Sequence, residues 1–287
     1  AAAGAALVIP PSRYGEGIGY FSMMQALATG IGPFAAIVLT NLSGGYAGMF
    51  VAAAAVSVLA LACSLLVTIP PAEARRIEPR HIRARGISSF VQLSVVPLGI
   101  VLFLVYFGYA GILSFVTSYA DWRGLTDAVS LYFVVYAAVI LITRPPVGRR
   151  VDRKGENSTI YACFASLAIG FVVLALAANG ALLLASAVFA GFGIGAIQSI
   201  VQAVIARDTP PDELGKANST FFMSMDLGTG IGPVAIGAIL PALGYSGVYL
   251  LLAGVAVLAG IVYHIVHGRS RRNVPDAHAQ GGNGSAD

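Results

Sequence analysis

Apolar residues run along this chain in long unbroken stretches, at roughly 17–39, 46–69, 93–119, 127–147, 158–178, 181–206, 217–241 and 245–267, separated by short polar connections. A helix rises about 1.5 Å per residue, so each stretch is long enough to cross a hydrocarbon core of about 30 Å. Barrel strands would alternate lipid-facing with inward-facing residues, and these runs do not alternate. A lipid interior offers no water to the backbone, which leaves the helix as the spanning element. The pattern predicts an all-α polytopic membrane protein with eight transmembrane helices.

Composition agrees, because a chain that is 57% hydrophobic and 10% charged cannot cover a water-facing surface. The net charge of +4 matters less than its placement. Arg13, the cluster Arg75, Arg76, Arg80, Arg83 and Arg85, then Arg149, Arg150, Arg153 and Lys154, then Arg207 and Lys216, and Arg269, Arg271 and Arg272 fall in alternate connections. The opposite connections hold Arg123 as their only base. Such bias marks the basic side as cytoplasmic, with both termini of the chain inside and a multi-pass location in the cell inner (plasma) membrane. Polyanion binding by the basic loops is the rival reading, but topogenic bias accounts for all the clusters together, so no nucleic-acid partner is expected. Cys63 and Cys163 both sit in apolar runs far apart in sequence, where buried packing is expected rather than a disulfide.

The first and seventh runs are related. Between Pro10 and Pro33, the positions Pro10, Pro11, Gly15, Phe21, Met23, Leu27, Thr29, Gly30, Ile31, Gly32 and Pro33 recur 200 residues later, ending in Thr229-Gly230-Ile231-Gly232-Pro233. The duplicated unit is therefore six helices long, and both copies cross in the same sense, a parallel repeat used by transporters for alternating access. Residues 1–69 are expected to be a remnant of an N-terminal six-helix bundle, its last two helices. Residues 70–92 form an Arg-rich, Pro-interrupted cytoplasmic linker, 93–267 a complete C-terminal six-helix bundle, and 268–287 a disordered cytoplasmic tail. On this count four helices belong before Ala1.

Three features resemble the major facilitator superfamily, specifically its drug-and-metabolite exporter branch. Gly148-Arg149-Arg150-Val151-Asp152-Arg153-Lys154-Gly155 matches the G-x-x-x-D-R-x-G loop signature, with Glu156 and Asn157 in place of the basic residues that often follow. Gly228, Gly232, Pro233 and Gly237 resemble the antiporter pattern G-x-x-x-G-P-x-x-G-G, with Ile236 replacing one glycine; the first copy keeps Gly32 and Pro33. The six-plus-six duplication with a basic linker is the third. The resemblance implies that this chain corresponds to helices five to twelve of a major facilitator fold, a monomer when full length. It also implies a cytoplasmic gate at Gly148, Asp152, Arg153 and Gly155. Read on their own residues, Gly148 can close a helix and Asp152 can accept bonds from the start of the next, or the segment is a charged turn that sets topology.

Small residues four apart let helix backbones approach closely, and a following proline bends or stiffens the helix. Gly32, Pro33, Gly228, Gly232 and Pro233 therefore read either as a helix pivot or as ordinary close packing. Asp226 is the only carboxylate well inside a span. A central aspartate costs roughly 2.5–3.5 kcal/mol on insertion scales, so it is a candidate for proton coupling or substrate binding, or else a hydrogen-bonded structural group. Gln25, Gln198 and Gln202, with Tyr106, Tyr109, Tyr132 and Tyr136, are candidate cavity liners for an amphipathic ligand, with helix-to-helix bonding and core packing as the alternatives. Arg144 precedes Pro145-Pro146 and is expected to snorkel to the headgroups as an anchor, with Tyr119 and Trp122 at the outer interface. His264 and His267 lack a third ligand nearby in sequence, so no metal is expected, and no cofactor.

No H-E-x-x-H or G-x-S-x-G is present, and Gly15, Gly17 and Gly19 are not followed by Gly-Lys-Ser/Thr, so catalysis is not expected. The expectation is a secondary transporter exporting a small amphipathic drug or metabolite by proton antiport, with lipid, protons and the small molecule as its partners. Uptake of a sugar, amino acid or siderophore in the same fold, or a non-functional fragment, is the alternative.

Overall fold

The computed structural model describes residues 24, 28, 31–32, 35–36, 38–40, 45–66, 91–210 and 213–269, leaving aside the side chains of Asp152 and Lys154. Gln25, Pro33, nearly all of the first repeat copy, the linker apart from residues 91–92 and the tail beyond residue 269 lie outside them. Among the described residues six helices are long and apolar enough to span a membrane. They are α1 (Tyr46–Leu66), α2 (Val96–Arg123), α3 (Thr126–Lys154), α4 (Glu156–Ala175), α5 (Gly180–Asp208) and α6 (Leu214–Tyr263). One π-helical turn, His264–Gly268, follows α6.

The two last expected spans are the two arms of α6. Gly244, at φ 65° and ψ 172°, breaks the helical path between them, in a region of backbone space open essentially only to glycine. Pro233 leaves the first arm unbroken. It supplies no N–H to the Thr229 carbonyl, and the Thr229 hydroxyl donates back to Met225 O at 2.6 Å.

The end of α3 differs from expectation. Gly148 does not close the helix, which continues through Arg149, Arg150 and Val151 to Lys154 and stops at Gly155, φ 76° and ψ 163°. Hydropathy falls at Gly148, but arginine and lysine are good helix formers, and a helix leaving lipid needs no apolar surface to persist. The signature is thus a helical extension ending in one glycine, whose N–H bonds Val151 O at 2.9 Å.

Glycines hold α2 to α6 within one bundle. At both Gly228 and Gly232 a side chain would run into α2. A Cβ on Gly228 would lie 2.6 Å from Phe103 O, and one on Gly232 would lie 3.2 Å from Phe107 O. On α5 the glycines alternate between neighbours. A Cβ on Gly191 or Gly195 would strike Tyr136 O or Ile140 on α3, while one on Gly193 would strike Cys163 O and Leu167 on α4. Without a hydrophobic driving force between helices in lipid, such backbone approach supplies the dispersion contact that holds the bundle together. In contrast, α1 buries none of its residues, and its Cys63 is exposed while Cys163 on α4 is buried.

Where α2 gives way to α3, Tyr119 is not a belt residue. It is fully buried, and its hydroxyl donates to Ala175 O at 3.3 Å, while the exposed Trp122 carries Arg123 over its ring at 4.9 Å. The reason is Tyr245 and Tyr249 on α6, which cover Tyr119 at 5.8 and 5.3 Å.

Candidate functional site

The first arm of α6 carries Asp226 on its exposed face. The carboxylate makes no hydrogen bond or ion pair with another described residue, and it lies in an open groove of about 590 Å³ lined by Ser219, Phe222, Met223, Leu227, Gly230 and Ile231. Apart from the hydroxyl of Ser219, the groove offers apolar or backbone surface around one acid. No described residue pairs with this charge, and an unpaired carboxylate inside a spanning helix is costly.

Gln198 and Gln202 lie one turn apart on α5, both half-buried, and neither amide bonds another described side chain. An amide facing hydrocarbon unpaired costs free energy, so these groups suit a water-filled space or a polar partner. The four tyrosines come together differently. Tyr106 meets Tyr109 edge-on at 5.7 Å, and Tyr109 stacks on Tyr136 of α3 at 5.8 Å with 16° between the rings. Tyr132 packs edge-on against Phe133 at 5.5 Å. All four are buried, Tyr106 keeping the largest accessible edge at 8%. They form an aromatic seam between α2 and α3 with Tyr106 at its margin.

In the loop signature, Gly148, Arg153 and Gly155 are exposed. The residue that follows them is the one sequence reasoning passed over. Glu156 opens α4 with only 4% of its surface exposed. Its Oε1 accepts from Arg207 Nη2 at 3.2 Å and lies 3.3 Å from His267 Nε2, joining the starts and ends of three helices. Beside it, Tyr263 donates to Asn157 Oδ1 at 2.9 Å, and Tyr161 OH lies 2.7 Å from His264 Nδ1. Two departures from the family signature, Glu156 and Asn157, thus anchor this network. The available signal was a carboxylate at a helix start, where the dipole favours it, with a base ending each of two later spans.

A sequence model of the Major Facilitator Superfamily matches residues 1–184 and again residues 127–285. The chain belongs to the Major Facilitator Superfamily. Members of this superfamily are membrane transporters rather than enzymes, so the bundle is that of a multi-pass membrane protein. The chain is similar to an uncharacterized MFS-type transporter, YhhS, of Salmonella typhimurium (strain LT2), 26% identical over 238 residues that cover 82% of this chain and 56% of the relative. The YhhS protein of Escherichia coli K12 is 24% identical over 75% of this chain and 52% of its own length. A multidrug resistance protein B homolog of Mycobacterium tuberculosis H37Rv is 27% identical over 155 residues, 54% of this chain and 29% of that protein. The chain therefore spans about half the length of the YhhS transporters it matches.

Proposed function

We propose that this chain belongs to a secondary transporter of the inner membrane, with both termini cytoplasmic, that exports a small amphipathic drug or metabolite in exchange for protons. The observation that carries the reading is Asp226, a carboxylate without a partner among the described residues, in an apolar groove on a spanning helix. An amphipathic cation and a proton would compete for it, which is the linkage that antiport needs. Gln198 and Gln202 support an aqueous pocket on the same bundle. The resistance-protein relative supports the outward direction.

In this proposal Gly148, Asp152, Arg153 and Gly155 gate the cytoplasmic mouth. Gly228, Gly232 and Pro233, with Gly32 and Pro33 of the first copy, form the pivot between two related six-helix halves. The close seating of Gly228 on α2 gives that pivot a stiff support. The test is loss of a fluorescent amphipathic cation from cells expressing the protein, at two external pH values, with and without Asp226→Asn. Faster loss at the lower pH that disappears in the variant is expected. Proton-dependent efflux unchanged in the variant would reject the role of Asp226, and accumulation in place of loss would reject export.

A further inference from the structure

Arg144 occupies the inward stripe of α3. The buried positions of that helix are Val129, Tyr132, Phe133, Tyr136, Ile140 and Val147, a three-and-four spacing in which Arg144 fills the turn between Ile140 and Val147. Its side chain is half-buried, its Nε is buried with no hydrogen-bond partner, and it forms no ion pair with a described residue. A snorkelling arginine shows the reverse, an apolar stem against the protein and a wet head.

Depth places it with two other groups. At about 1.5 Å per residue from the outer ends of α2, α3 and the first arm of α6, the positions of Tyr106, Arg144 and Asp226 all fall about 26 Å inward. Tyr106 stands where the three helices meet: its ring packs on Tyr109, which stacks on Tyr136 of α3, and a Cβ on Gly228 of α6 would lie 3.0 Å from Tyr106 Cβ. Its hydroxyl too bonds no other described residue. Arg144 Nε and the Tyr106 hydroxyl are therefore donors without an acceptor among the described residues, and Asp226 is an acid without a cation among them at the same depth. Opposite charges held at one depth yet not joined to each other are costly in a bundle unless something else meets each of them.

We propose that Arg144, with the Tyr106 hydroxyl, is an oxyanion subsite, and that the transported molecule is an amphipathic zwitterion whose acid group docks there while its amine meets Asp226. This rests on the export reading and narrows its substrate class. The apolar body lies along Phe222, Met223, Leu227 and Ile231. A proton arriving on Asp226 displaces the amine, while the guanidinium keeps its charge and holds the acid group in either state.

The probes are 3-(1-pyrenyl)alanine, its methyl ester, which keeps only the amine, and its N-acetyl derivative, which keeps only the acid. Binding to the purified protein in lipid nanodiscs is read by fluorescence anisotropy. The parent should bind about tenfold tighter than the ester, one charge-assisted bond's worth of affinity. Arg144→Gln should bring the parent to the ester's affinity while leaving the ester within about twofold, and Arg144→Lys should restore part of the difference. Equal binding of parent and ester to the unaltered protein, equal weakening of both by Arg144→Gln, or no binding of the parent would overturn the proposal. The first of these comparisons needs no variant, so a misfolded substitution does not blunt the test. Arg144-dependent binding without pH-dependent export would sink the transport reading alone. Asp226-dependent export with no preference for the parent would sink this one alone.

Discussion

Arg207 Nη2 donates to Glu156 Oε1 at 3.2 Å, across 51 residues of sequence, so that the end of α5 is tied to the start of α4. His267 Nε2 approaches the same oxygen at 3.3 Å from the end of the chain's last described turn. One buried acid therefore collects two helix ends on the basic side of the bundle.

Glu156→Ala should lower stability by about 1–2 kcal/mol, since Arg207 is partly solvated and a screened partner contributes less than a buried one. Thermal unfolding in detergent should show a lower Tm. The double substitution with Arg207→Ala should cost less than the sum of the single changes. Strict additivity of the two would mean that the contact contributes nothing.

Gly228→Ala and Gly230→Ala separate packing from helix propensity. The first puts a methyl 2.6 Å from Phe103 O, the second meets nothing within 4 Å. Overpacking of about 1–3 kcal/mol is expected for Gly228→Ala, and a small gain for Gly230→Ala. Denaturation in mixed micelles reads the difference; similar stabilities for the two variants would contradict the close seating of α6 on α2.

Gly155→Ala and Gly244→Ala should each cost about 1–3 kcal/mol, because their backbones occupy a region that a side chain disfavours. Gly148→Ala, in mid-helix with open space around it, should be neutral or stabilising by up to about 1 kcal/mol. The ranking, measured by the same denaturation, checks where α3 ends. Were Gly148→Ala the damaging change of the three, the helix would have to stop at Gly148 instead.

Tyr119→Phe should lose about 0.5–1.5 kcal/mol, because the hydroxyl reaches Ala175 O and Ala177 O at 3.3 and 3.4 Å at the end of α4. Hydrogen exchange of the amides around residues 174–179 should speed up in the variant. Unaltered exchange there would show that the ring alone holds the turn.

The spans among the described residues were legible because lipid demands long apolar runs, and the break at Gly244 falls in the short interval between the last two. The end of α3 was not legible, since hydropathy reports where lipid stops and not where hydrogen bonding stops. Glu156 was visible only as a departure from a signature. Its burial depends on Arg207 and His267, 51 and 111 residues away, and no local pattern encodes such a meeting. Arg144 was read by its neighbourhood, a proline pair near an interface, whereas the three-and-four spacing of α3 turns it toward the protein. Asp226 could be placed because a carboxylate in a spanning run is conspicuous in itself.

The alternating glycines of α5 have a mechanical consequence. A rod clasped by α3 at Gly191 and Gly195 and by α4 at Gly193 cannot slide along one neighbour without loosening the other. A mismatch in bilayer thickness is then met by a common tilt of the trio in place of one helix sliding past another.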